Sequence, residues 1–265
     1  MKFFAAFMAL CCLMLGLSAP AQADRCRTLS ECNVDVGSAN VGASGATQSN
    51  YSYTVPQYLE WVMQDADAQW TKWFLSVGLR EPMLGYQVVQ GSDTYKTNCS
   101  GGDIVTATYN NAFYCPVDVI YSGGVAYKGV VVLPAVTFQK MWGGNIFSNN
   151  SGTTGDFGAG VIAAHEFSHH VTDEIAIQLG QSHPAGKNNE LIADCLAGTW
   201  AVSLYQRSNL EDGDLNEAAN ALFAIGDKGS TVSHGTGAER VAALKTGLSG
   251  NPFSCFRAYW PQIVR

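Results

Sequence analysis

Between residues 55 and 78 the chain reads VPQYLEWVMQDADAQWTKWFLSVG, and Leu59, Val62, Ala66, Trp70 and Trp73 recur at steps of three and four residues. That spacing collects them on one side of an α-helix and gives it a core-facing stripe. Pro56 suits the first turn, and Gly78 suits the stop. The pattern then shortens. GYQVVQG, DIVTATYN and GVAYKGVVVLPAV are brief runs rich in strand-forming residues, bounded by Gly, Asn and Pro, and they predict antiparallel strands. After Gly155 the helical period returns and persists, predicting helices near 158–180, 188–206, 215–225 and 236–248. Strands first and helices afterwards indicate an α+β domain rather than a regular βαβ alternation. This domain is expected over residues 51–265.

The N-terminal region lacks that periodicity. From Asn33 to Asn50 the sequence is NVDVGSANVGASGATQSN, small and polar, and residues 24–50 read as a flexible arm. Before it stands MKFFAAFMALCCLMLGLSAPAQAD, with one lysine, an apolar run and AQA ahead of Asp24. That is the layout of a secretory signal peptide over residues 1–23, cleaved after Ala23. The apolar run from Phe3 to Leu17 is short of the roughly 20 residues that span a bilayer, which disfavours a retained anchor. The expected location is secreted or periplasmic, with no stable membrane insertion after cleavage.

Charge narrows the partners. The 265 residues carry a formal net charge of −7 and no cluster of Lys or Arg, which argues against nucleic acid or anionic lipid as a ligand. Beyond the signal, six cysteines remain: Cys26, Cys32, Cys99, Cys115, Cys195 and Cys255. An even number in an oxidising compartment reads as three disulfides. Closeness in sequence suggests Cys26–Cys32 and Cys99–Cys115, leaving Cys195–Cys255 to tie a helix to the C-terminal tail. No CxxC pair is present, which disfavours a thiolate metal site.

The chemistry concentrates in GVIAAHEFSHHVTDEIAIQ, where three of the chain's five histidines and a glutamate occupy six positions. HEFSH has the form HExxH. Residues four apart on a helix lie about 40° from each other, so His165 and His169 point the same way and are able to share one metal ion. Glu166, beside the first ligand, reaches a water at that ion as general base. An HExxH face turned to solvent is the bland alternative, but the apolar residues before His165 suggest burial, where an unpaired Glu is costly. Zinc at a catalytic site takes a third protein ligand and keeps an open position. In NNELIADCLAGTW, Glu190 and Asp194 share a helix face. Glu190 is the expected third ligand, and Asp194 the acceptor of the spare N–H of His165. One Zn²⁺ per chain is therefore expected, although two histidines and a carboxylate also suit iron(II). His170 falls about 100° off the ligand face and is expected to pack or to hydrogen-bond nearby, and His183, in a SHPAG turn, to lie at the surface. His234, in TVSHGTGAER, either reaches over a cleft to a developing oxyanion or braces its own loop.

With these residues in view the chain resembles the neutral zinc metallopeptidases of bacteria. The likeness runs through AFYCPVD at 112–118, AHEFSHHV at 164–171, NELIADCLAGTW at 189–200, GDLNEAANALFAIGD at 213–227, HGTGAER at 234–240 and Cys255, covering about residues 55–258. It implies a zincin-like, gluzincin-type domain with zinc on His165, His169 and Glu190 and with Glu166 as catalytic acid and base. It also implies the Cys99–Cys115 and Cys195–Cys255 pairs. Two departures bear on substrate preference: Ser168 stands where the family usually has Gly, and the segment from Ile120 to Asn150 is longer than the family's link. The expected function is hydrolysis of peptide bonds in a protein or peptide substrate. The alternatives are a catalytically silent, zinc-stabilised envelope binding or assembly protein, and a zinc amidase acting on cell-wall material.

Overall fold

The computed structural model describes residues 53–99, 101–144, 155–228 and 232–264. The expected signal peptide, the 24–50 arm and the Cys26–Cys32 pair lie outside the described residues. Helix α1 (Val55–Ser76) begins at a capping box in which the Thr54 backbone N–H donates to Gln57 Oε1 at 3.0 Å. It ends where Gly78 takes a positive φ of 78°. Its buried face holds Leu59, Val62, Met63, Ala66, Trp70 and Phe74. Trp73 is only half-buried and meets Phe253 and Phe256 near the C-terminus.

Five strands follow: β1 (Gly85–Val89), β2 (Thr94–Lys96), β3 (Ile104–Thr106), β4 (Phe113–Ser122) and β5 (Val125–Pro134). Strands β2 and β3 form a separate antiparallel ribbon, while the main sheet has the order β1-β5-β4. The expectation of antiparallel strands throughout is corrected at β1, which pairs parallel with β5. The chain leaves β1, makes the ribbon and β4, and inserts β5 between them, so β1 and β5 run the same way. Residues Gly129 to Pro134 of β5 are all buried, as a central strand covered on both faces requires, and such strands read as continuous apolar runs. Strand β4 lies at the edge and carries Pro116, whose missing N–H is tolerated there. The Cys99–Cys115 disulfide ties it to the chain after the ribbon.

The helical region comprises α2 (Ala135–Trp142), α3 (Gly155–Leu179), α4 (Lys187–Gln206), α5 (Asp214–Ile225), α6 (Gly237–Gly247) and α7 (Pro252–Tyr259), closed by a 3-10 turn at Pro261–Val264. Four of these fall within a few residues of the sequence expectation. The short α2 and α7 escaped it, because eight residues give barely two turns of period. Helix α3 is the spine: it packs on α1, α2, α4, α5 and β4 and is buried around most of its circumference. Helices α4 and α6 cross so closely that a Cβ on Gly247 would run into the Cys195 carbonyl oxygen. The Cys195–Cys255 disulfide then joins α4 to α7 across 60 residues of sequence. Closing a loop of that length contributes about 4 kcal/mol in the chain-entropy account. The Cys195→Ala/Cys255→Ala protein is expected to lose about that much unfolding free energy in urea titration; an unchanged midpoint would contradict it. Among the described residues no helix is long and apolar enough to cross a membrane.

Candidate metal centre

Two helices build the centre. The small and aliphatic residues of α3 ahead of His165 let neighbouring elements close around it, so His165 and Glu166 are buried and His169 is half-buried. After the turn at 180–186, α4 starts with Glu190 in its first turn and Asp194 one turn on. The packing of α4 on α3 brings these two acids to the two histidines.

The distances give the arrangement its meaning. His165 Nε2 and His169 Nε2 lie 3.2 Å apart. Glu190 Oε2 is 3.4 Å from His165 Nε2, and Glu190 Oε1 is 3.7 Å from His169 Nε2. A tetrahedral ion bound at about 2.0–2.1 Å sets its ligand atoms about 3.3–3.4 Å apart. The three side chains therefore fit the edges of a zinc tetrahedron and are one of the convergent groups able to hold a metal. Among the described residues the other such group, Asp156, Asp214 and Glu217, offers no imidazole. Burial pushes the Asp214 carboxyl up to about 9, which keeps it neutral and relieves the repulsion among the three.

Behind the histidines, Asp194 Oδ1 lies 2.8 Å from His165 Nδ1, the contact expected from sequence. It fixes the tautomer that leaves Nε2 free for a metal. Arg240, from α6, grips the same carboxylate with both arms: Nε donates to Oδ2 and Nη2 to Oδ1, each at 2.8 Å. Arg240 is the chief residue that sequence reasoning missed. It closes the HGTGAER segment, but nothing in a charge on a short helix announces that it is buried. The second omission is Tyr114, whose backbone favours the ionised form of Glu166. Its hydroxyl donates to Asp173 Oδ2 at 2.8 Å and lies 3.1 Å from His170 Nδ1.

The electrostatics follow from these contacts. Burial opposes a charge on His165, but Asp194 and Glu190 outweigh it and hold its pKa up at about 10. Burial and the neighbouring His165 push His169 down to about 4. Burial alone would raise Glu190, yet the hydrogen bond and charge of His165 hold it down at about 2. For Glu166 burial outweighs the opposing charge of His165 and lifts its carboxyl to about 7. A group poised near neutral pH is suited both to take and to return a proton. His170 is buried and pushed down to about 4, so it stays neutral beside Tyr114, in line with its expected packing role.

All of these face or flank one cavity of about 730 Å³, whose lining includes His165, Glu166, His169 and Glu190 together with Phe113, Tyr114 and Asp173. His183 lies at the surface, as expected, and also lines this cavity, 3.1 Å from Asp173 Oδ1. His234 lines it too. Asp227 braces its loop, accepting the His234 backbone N–H at 2.7 Å and approaching Nδ1 at 3.3 Å.

A family model described as "Putative neutral zinc metallopeptidase" matches residues 23–257. The chain is 34% identical over 183 residues to "Uncharacterized protein YpfJ" of Escherichia coli (strain K12), covering 60% of this chain and 57% of that protein. It is 30% identical over 171 residues to "Uncharacterized protein Rv2575" of Mycobacterium tuberculosis (strain ATCC 25618 / H37Rv), covering 54% and 53%. The chain spans a little over half the length of these curated relatives. No solved structure gives a significant match.

Proposed function

Because the chain belongs to the neutral zinc metallopeptidase family, we propose that it is an exported zinc-dependent peptidase that cleaves peptide bonds with Glu166 as general base. The observation that carries this reading is the convergence of His165, His169 and Glu190 at tetrahedral spacing, with Glu166 on the same cavity wall. Zinc held by these three residues would supply Lewis-acid activation, drawing the pKa of a water from about 15.7 towards 7 and polarising the scissile carbonyl.

The chain's own residues do the rest. Glu166 takes the proton of the attacking water and delivers it to the leaving amine. Asp194, clamped by Arg240, holds the His165 ring against rotation. His234, kept at the cavity wall by Asp227, is the proposed donor to the developing oxyanion. Strand β4 lies along the cavity through Phe113 and Tyr114, with one edge that pairs with no strand among the described residues, and an extended substrate would add its main chain there. The two disulfides and the signal-like N-terminal sequence support export.

The test is metal content and casein cleavage on the purified mature protein. One zinc per chain is expected, with cleavage abolished by a chelator and restored by zinc. Stripping the ion should also lower the melting temperature, since a ligand present at 1,000 times its Kd stabilises the folded state by about 4 kcal/mol. Cleavage that survives complete metal removal would overturn the mechanism. Zinc binding without cleavage of any protein would favour the binding role or the cell-wall amidase.

A further inference from the structure

We propose that Asp173 makes this site selective for a lysine or arginine side chain near the scissile bond, an inference that rests on the peptidase reading. Asp173 follows His165 and His169 on α3 at the next four-residue step, so it extends the ligand face of the helix into the cavity. Four residues of helix rise about 6 Å, and an extended chain advances about 3.3 Å per residue. A substrate running along this helix would therefore bring a side chain about two residues from the bond being cut to the carboxylate.

The carboxylate is held for that task. The Tyr114 hydroxyl donates to Oδ2 at 2.8 Å, while Oδ1 turns to His183 Nδ1 at 3.1 Å. His183 sits on the loop between α3 and α4 with its side chain 47% exposed, so an incoming ammonium or guanidinium group is able to displace it or bind beside it.

Charge accounting gives the sign of the preference. Among the described residues that line the cavity, Arg240 is the one Lys or Arg, against the carboxylates of three residues in the same lining, Glu166, Glu190 and Asp173. Arg240 is already taken up by Asp194. A bound dication would balance Glu166 and Glu190, which leaves Asp173 with the Tyr114 hydroxyl and the displaceable His183 imidazole as its partners. A cationic side chain supplies the missing charge, and an acidic one is repelled.

The plainer reading is that Asp173 only steadies Tyr114 and, through it, Glu166. The two readings separate in a ratio. Peptides identical except for lysine or norleucine at each position within three residues of the cut would be compared by kcat/KM for the zinc-loaded wild type and for Asp173→Asn. Asparagine still accepts the Tyr114 hydrogen bond but carries no charge. The wild type is expected to favour lysine at one position by about tenfold or more, and the Asp173→Asn ratio to collapse towards one. In the wild type the preference should shrink with added salt, a reading that stands even if the variant folds poorly. Lysine and norleucine cleaved alike by the wild type at every position, or a ratio unchanged in Asp173→Asn, would overturn the inference while leaving the peptidase intact. Cleavage of no peptide by the zinc-loaded wild type would overturn the peptidase reading and this inference with it.

Discussion

Glu166→Gln protein is expected to keep one zinc per chain and to lose turnover by about 100- to 10,000-fold, the usual worth of a positioned general base. Glutamine has nearly the shape of glutamate, so the cavity wall should persist. What disappears is a basic oxygen able to take a proton from water and return it to the amine. The effect should fall on kcat more than on KM, because the proton transfer belongs to the transition state rather than to substrate binding. Metal content, a thermal melt and steady-state kinetics on the two proteins side by side decide the matter. A zinc-loaded Glu166→Gln protein with wild-type kcat would remove Glu166 from the mechanism. A variant that loses its zinc would assign Glu166 to the metal and not to the water.

The second large effect is expected at Arg240. Asp194 is fully buried, and its ionised form is maintained, against burial, by His165 and Arg240. Arg240→Met removes the guanidinium and leaves a carboxylate in the core facing one imidazole. Breaking a buried pair from one side costs about 3–5 kcal/mol. The His165 ring also loses the clamp on its acceptor, so zinc affinity should fall by roughly 10- to 100-fold. In the double variant Arg240→Met/Asp194→Asn the uncompensated charge is gone, yet the asparagine carbonyl still accepts from His165 Nδ1. That variant is expected to regain much of the lost stability. Urea titration and competition with a chromogenic chelator supply the two numbers. A single variant as stable as wild type would show that Asp194 is satisfied without the arginine.

Much of the site was legible before any fold was in view, because it rests on helix geometry. Four-residue spacing places His165 with His169 and Glu190 with Asp194 whatever surrounds them. The same regularity made the long helices readable, since each repeats its apolar face over several turns. Where the period is short or saturated, the reading thinned. Helices α2 and α7 are too brief to show it. Strand β5 is buried on both faces, so its apolar run carried no sign of a parallel neighbour, and β1 was expected to run antiparallel.

The sequence by itself determined which histidines and carboxylates share a helix face and on which helices they stand. The tertiary structure alone decided what faces them. Arg240 arrives from 46 residues beyond Asp194, and Tyr114 reaches Asp173 across 59 residues. Both contacts depend on the crossing of α4 with α6 and the approach of β4 to α3, and no local spacing encodes those. The physical reason is range. Backbone geometry repeats within a few residues and is written along the chain, whereas burial and the pairing of charges are set by which surfaces pack together.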